Sequence, residues 1–193
     1  LETYKLNFKK SLYIVLIIVC LFSTFKYHLR FNEDRKFHEL NNVNFQLTIR
    51  GNEIDKKLSG LKWISPQFKD DPAEEIRLIK DIKSHLENDS RNKMVMTHYL
   101  FYSTILNQKF FSPSRWLLSD GSTHPLKGNR YYISYKSLLI NIIKRNKIKV
   151  IYIVDPVEKF NIYNYVNEDC YEEKRINKIL NMYNLKKCNE ING

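Results

Sequence analysis

Glycine and proline are scarce, five of each in 193 residues, which excludes collagen-like and Pro/Gly-rich low-complexity chains. No GxGxxG follows a strand-like run and no GxxxxGK[ST] occurs, so neither a dinucleotide nor a P-loop nucleotide site is supported. The nucleophile elbow GxSxG is missing too. CxxC and HxxxH spacings are lacking, and the acids near the histidines follow no ligand pattern, so no metal and no cofactor are expected. The chain carries 32 Lys and Arg against 21 Asp and Glu, a net charge of +11. No RNP, KH or helix-turn-helix pattern accompanies that charge, and no nucleic-acid partner is expected. Lysine outnumbers arginine, Ile, Asn and Tyr are abundant, and the basic excess is spread along the chain. A biased coding composition accounts for it.

At 27% charged and 43% hydrophobic, the chain is of the class that folds around a core, and its length is that of one domain. One segment departs from this average. Ser11 to Phe25 reads SLYIVLIIVCLFSTF, uncharged, between Lys9 and Lys10 on one side and Lys26 on the other. A membrane helix takes about 20 apolar residues, with a lower limit near 17. Snorkelling lysines and interfacial Phe8, Tyr13, Phe25 and Tyr27 make up the difference. A removed signal peptide is the competing reading, but no small-x-small cleavage site follows. The expected organisation is a basic flank over 1–10, a transmembrane helix over 11–26, a juxtamembrane connector over 27–60 and a soluble α/β domain over 61–193. Lysines and arginines flank the span on both sides, so charge counting assigns no orientation. The first residue is Leu1, and a C-terminal piece of a longer protein is expected.

From Leu61 onward, short apolar runs alternate with amphipathic stretches. LKWIS, KMVMTH, KFFS and KVIYIV (61–65, 93–98, 109–112 and 149–154) read as strands. Asp71, Pro72 and Glu74 form a capping-box start for a helix whose apolar stripe is Ile76, Ile79, Ile82 and Leu86, crossed by Lys83. Short helices are expected over 99–106 and near 135–143, then a last helix near Tyr171 to Tyr183 and a last strand near Leu185 to Glu190. The alternation predicts a small Rossmann-like α/β domain, a mainly parallel sheet with helices on both faces, behind one N-terminal transmembrane helix.

Ligands of open parallel sheets sit beyond the carboxyl ends of the strands. Here that rim holds His98, Arg115, Asp120, His124 and Asp155, residue types able to form an acid/base or anion site. Each also has a local role: Asp155 before Pro156 ends a strand, and Asp120 with Gly121 makes a turn. No catalytic residue is assigned. Cys170 and Cys188 bracket the expected last helix, and a strand folding back along it brings them together. The bridge, worth about 3 kcal/mol by loop closure, persists only in an oxidising compartment; the other reading is two thiols in a reducing one.

The succession of hydrophobic span, polar connector, LKWISP, DPAEEI, NKMVMTHY, SDGSTHPLKGNRYY and KVIYIVDP resembles the C-terminal ends of polytopic bacterial membrane glycosyltransferases of the GT-C type, in their AT-rich marine bacterial version. The resemblance implies a periplasmic domain of an inner-membrane protein. Its partners would be the lipid bilayer and, through the membrane portion upstream, a polyprenyl-phosphate sugar donor and a glycan acceptor. That family's catalytic acids lie in an early extracytoplasmic loop, and no position of this sequence matches it. The expected function is therefore an accessory extracytoplasmic domain of such a transferase, inactive by itself. The alternative is a single-span, membrane-anchored α/β binding domain with no enzymatic activity.

Overall fold

The structure is a computed structural model and describes residues 2–34, 40, 42–118, 121–154 and 160–186. It divides into two compact units, Leu1–Val43 and Asn44–Gly193.

In the first unit, helix α1 (Glu2–His28) continues as a π-helical segment, Leu29–Asp34. Lys9–Phe31 within it is long and apolar enough to cross a membrane. The helix outruns the uncharged stretch because its flanking lysines are themselves good helix formers. Its apolar side chains face outward, Ile17 at 58% exposure, as a lipid-facing helix requires.

The second unit begins before the expected boundary at Leu61, because Ile54 and Leu58 are already buried in its core. Strands β1 (Ile49–Arg50) and β2 (Lys62–Trp63) form a small antiparallel pair, so LKWIS is not part of the main sheet. That sheet contains β3 (Lys93–Thr97), β4 (Val150–Val154), β5 (Tyr171–Asn177) and β6 (Leu180–Leu185) in the order β3-β4-β6-β5. Only β3 and β4 are parallel; β4–β6 and β6–β5 are antiparallel. The Rossmann-like, mainly parallel expectation is thereby corrected to a mixed α/β sheet. Two misreadings caused it. KFFS forms no strand, and Tyr171 to Tyr183 is a hairpin rather than a helix.

Helices cover both faces. On one, α2 (Pro72–Asn88) and α3 (Phe101–Leu106) pack Ile76, Ile79, Ile82, Leu86, Tyr102 and Ile105 against Val95, Val150, Tyr152 and Val154. On the other, Leu139 and Ile143 of α4 (Tyr132–Arg145) cover Met94, Met96, Ile151 and Ile153. Successive strand residues point to opposite faces, so β3 and β4, buried at every position, supply both cores. At the start of α2, Asp71 accepts from the Glu74 amide at 3.1 Å. The Glu74 carboxylate turns instead to Arg77, at 2.7 and 2.9 Å, so half of the capping box forms.

Polar groups tie the end of α2 to the sheet. Asp89 accepts from the Tyr152 hydroxyl at 2.6 Å, the Arg91 guanidinium at 2.8 and 2.9 Å and the Arg91 amide at 3.0 Å. Arg91 reaches on to Asn184 of β6 at 2.9 Å. Buried Lys93 donates to the carbonyls of Leu86 (2.6 Å) and Asp89 and to Gln108 (3.1 Å), placing a cation on the negative end of the α2 dipole. Burial pushes the Lys93 ammonium below its usual pKa.

Burial alone would raise the Asp89 carboxyl, but the Arg91 and Tyr152 hydrogen bonds outweigh it and hold it at about 2. With the folded value below the ordinary 3.8, the stabilisation is complete above that value and is lost as pH falls through about 2. Urea denaturation of the full chain in detergent should therefore show stability declining across that interval. Asp89→Asn should remove this part of the decline and cost about 1.5–3 kcal/mol at neutral pH; an unchanged acid slope in the variant would assign it to other groups.

Candidate functional site

Strand β3 ends where Thr97 turns the chain. Its hydroxyl accepts from the Tyr99 amide at 2.9 Å, and its carbonyl accepts from the Leu117 amide at 3.1 Å. The loop after Pro113 is thus fastened across the carboxyl end of the strand. Beneath it lies a cleft of about 410 Å³, walled by Thr97, Tyr99, Ser103, Ser112, Ser114 and Arg115 among others.

Tyr99 is the inner wall of that cleft and donates to Glu75 of α2 at 2.8 Å. Glu75 has no solvent exposure, and its Oε2 has no hydrogen-bond partner among the described residues. The rings of Trp63 and Phe101 lie 6.1 and 5.9 Å from that of Tyr99. Glu75 shares the face of Ile79, Ile82 and Leu86 at spacings of four, seven and eleven. A carboxylate on an apolar stripe was the legible sign of this buried group, and sequence reasoning passed over it.

The five rim residues have different fates. His98 is half-buried at the end of β3, its ring 4.1 Å from that of Tyr99. Arg115 is exposed in the cleft wall. His124 is 2% exposed and belongs with the α4-side aromatics, 4.7 Å edge-on from Phe160 and 6.4 Å from Tyr165. Asp120 and Asp155 lie outside the described residues. His98 and Arg115 thus share the end of β3, while His124 is a core side chain. Among the described residues no group of His, Cys, Asp and Glu is placed to hold a metal.

A second cleft, about 450 Å³, opens on the β5–β6 wing of the sheet. Pairing of Glu173 with Tyr183 and of Arg175 with Asn181 sets two polar rows on the face that carries Ile151 and Ile153 nearer the centre. Glu173 accepts from the hydroxyls of Tyr183 (3.0 Å) and Tyr163 (3.3 Å). Arg175 donates to the Lys178 carbonyl at 3.0 Å, which holds it at the hairpin turn. Burial, then the Glu173 charge, pushes the Tyr163 phenol up to about 12 and raises Tyr183 likewise, so both remain donors to the carboxylate at neutral pH. A phenol that donates still has acceptor capacity. The wing presents phenols, a carboxylate, an amide and cations side by side, an array suited to a ligand rich in hydroxyl groups. Reading this stretch as a helix hid the alternation of Tyr171, Glu173 and Arg175.

Cys170 is buried at the entry to β5 and its carbonyl accepts from the Lys186 amide at 2.9 Å. Cys188 lies outside the described residues. Comparison of the chain with protein-family models, with curated proteins and with solved structures yields no match.

Tyr99→Phe should destabilise the domain by about 1–3 kcal/mol in urea denaturation, the cost of leaving a buried acceptor without its donor. A change below about 0.5 kcal/mol would mean that Glu75 has another donor.

Proposed function

We propose that this chain is the C-terminal extracytoplasmic accessory domain of an integral-membrane glycosyltransferase of the GT-C type. It holds a hydroxylated acceptor near the membrane, while the chemistry belongs to a membrane portion encoded upstream. The observation that carries this reading is the β5–β6 cleft, in which Glu173 is held by two phenols beside Arg175 and Asn181, on a chain with a membrane-length helix. Such an array recognises polyols by exchanged hydrogen bonds. The sequence resemblance supports the transferase class. The inner membrane, with this domain on the periplasmic side, is the location proposed. A Cys170–Cys188 bridge belongs to the same proposal, supported by the return of the chain to Cys170 at Lys186.

Two measurements test it. Unreduced protein from cells whose free thiols were blocked should label at neither Cys170 nor Cys188; labelling of both would place the domain in a reducing compartment. Membranes containing the chain extended by its upstream coding region should transfer sugar from a polyprenyl-phosphate donor, whereas membranes with this chain alone should not. In the extended protein His98→Ala should leave turnover within about tenfold, about 1.4 kcal/mol of barrier. A loss of about a thousandfold at equal expression would move catalysis onto the rim, and an upstream region that adds no hydrophobic spans would leave a single-span binding domain.

A further inference from the structure

The outward face of the loop between α3 and α4 has a composition that the core does not explain. In the extended run Trp116-Leu117-Leu118, only Leu117 points inward, at 2% exposure, while Trp116 and Leu118 are 48% and 38% exposed. Farther along, His124 is buried and Leu126, Tyr131 and Ile133 are 53%, 55% and 68% exposed. Of the nine large apolar residues exposed in the described part of the second unit, six lie between Trp116 and Leu138. They are concentrated, not scattered, and so differ from the single exposed hydrophobics of ordinary surfaces.

The loop is built to hold them out. The Leu118 amide donates to the Thr123 hydroxyl at 2.9 Å, and the Asn129 amide to the Leu126 carbonyl at 3.0 Å. A turn at Gly121, with φ of +83°, brings Leu126 against that glycine. The patch is therefore assembled from a fastened loop.

Among the described residues of the patch the charge is of one sign; the loop's one acid, Asp120, lies outside them. Arg115, Lys127, Arg130 and Lys136 accompany the apolar residues, and the sequence from Gly121 to Val154 has seven Lys and Arg and no Asp or Glu. Arg130 lies over the Tyr131 ring at 4.5 Å. Exposed Trp, Tyr and Leu interleaved with Lys and Arg match the two layers of a bilayer surface, in which apolar and aromatic groups enter the headgroup boundary and cations meet anionic phosphates. The chain also carries a helix of membrane-crossing length, and the connection from Phe31 to Asn44 is short enough to keep the domain within reach of that surface.

We infer that the face formed by Trp116, Leu118, Leu126 and Tyr131 with Arg115, Lys127 and Arg130 docks on an anionic lipid bilayer. This inference is independent of the transferase reading, since docking requires neither the upstream region nor the β5–β6 cleft. The test is lipid quenching of Trp116 in the full chain reconstituted into vesicles. Two tryptophans are present, so Trp63→Phe leaves Trp116 as the sole reporter. If that variant folds poorly, subtracting the spectrum of a Trp116→Phe chain isolates the same signal.

In vesicles containing phosphatidylglycerol and brominated-chain phosphatidylcholine, Trp116 emission should shift to the blue and lose most of its intensity. With lipid in both leaflets alike, the readout does not depend on insertion direction. In zwitterionic vesicles, after Arg115→Glu/Lys127→Glu/Arg130→Glu, or near 1 M salt where charges are screened beyond about 3 Å, the intensity should return. Equal quenching with and without phosphatidylglycerol, or no effect of the charge reversal, would overturn the inference. Shielding of Trp116 that rises with protein-to-lipid ratio but not with anionic lipid would assign the face to a second copy of the chain. Shielding in native membranes alone would assign it to a protein partner.

Discussion

Strand β4 is paired on both edges and buried on both faces, and the rest of the second unit follows from that constraint. A five-residue run buried at every position cannot rest against water on either side. It needs α2 and α3 over Val150, Tyr152 and Val154, and α4 over Ile151 and Ile153. Its one polar atom in that run's side chains, the Tyr152 hydroxyl, is satisfied by Asp89. Through Asp89 the end of α2 is registered against the sheet, and Arg91 extends that registration to β6. Removing the satisfied partner of a buried group costs more than the bond itself is worth, and this makes the small polar cluster a point of cooperativity between layers.

The same constraint explains which parts of the fold could be read from sequence. Helix α2 was legible because one face alone is apolar and its start carries Asp71 and Pro72. KMVMT and KVIYIV were legible as strands because short β-branched or apolar runs end at turn residues. The hairpin was not. Ile176, Ile179, Leu180 and Tyr183 step by three, four and seven, a helical spacing, while Leu180, Met182 and Tyr183 serve opposite faces of a sheet covered on both sides. Alternation of polar and apolar vanishes when both faces are buried, and β6 then imitates a helix. Its antiparallel pairing with β4 turned an expected parallel sheet into a mixed one.

The candidate site was legible only in part, for a related reason. His98 could be placed at the end of β3 because strand ends are visible in sequence, whereas Arg115, expected at the end of the KFFS run that forms no strand, is brought to β3 by the hydrogen bond from Leu117 to Thr97. The burial of His124 among Phe160 and Tyr165 could not be placed, since it depends on two loops distant in sequence. The Glu173 cluster depends on cross-strand register, which a misread hairpin conceals. Lys186 does reach Cys170, though by the turn of a hairpin and not by a strand returning along a helix.

Among the described residues strand β5 is an edge of the sheet on the wing side, and residues 172–175, Glu-Glu-Lys-Arg, are all exposed. An open edge offers unpaired amides and carbonyls to any neighbouring strand. Proteins confined to a membrane plane meet one another far more often than the same number of molecules in free solution, and with their long axes already constrained. Crowding of this kind favours strand addition between copies. Four consecutive charged residues and the bulge between Arg175 and Asn177 make the β5 edge a poor template for it, so that copies crowded in a membrane would not zip into a continuous sheet.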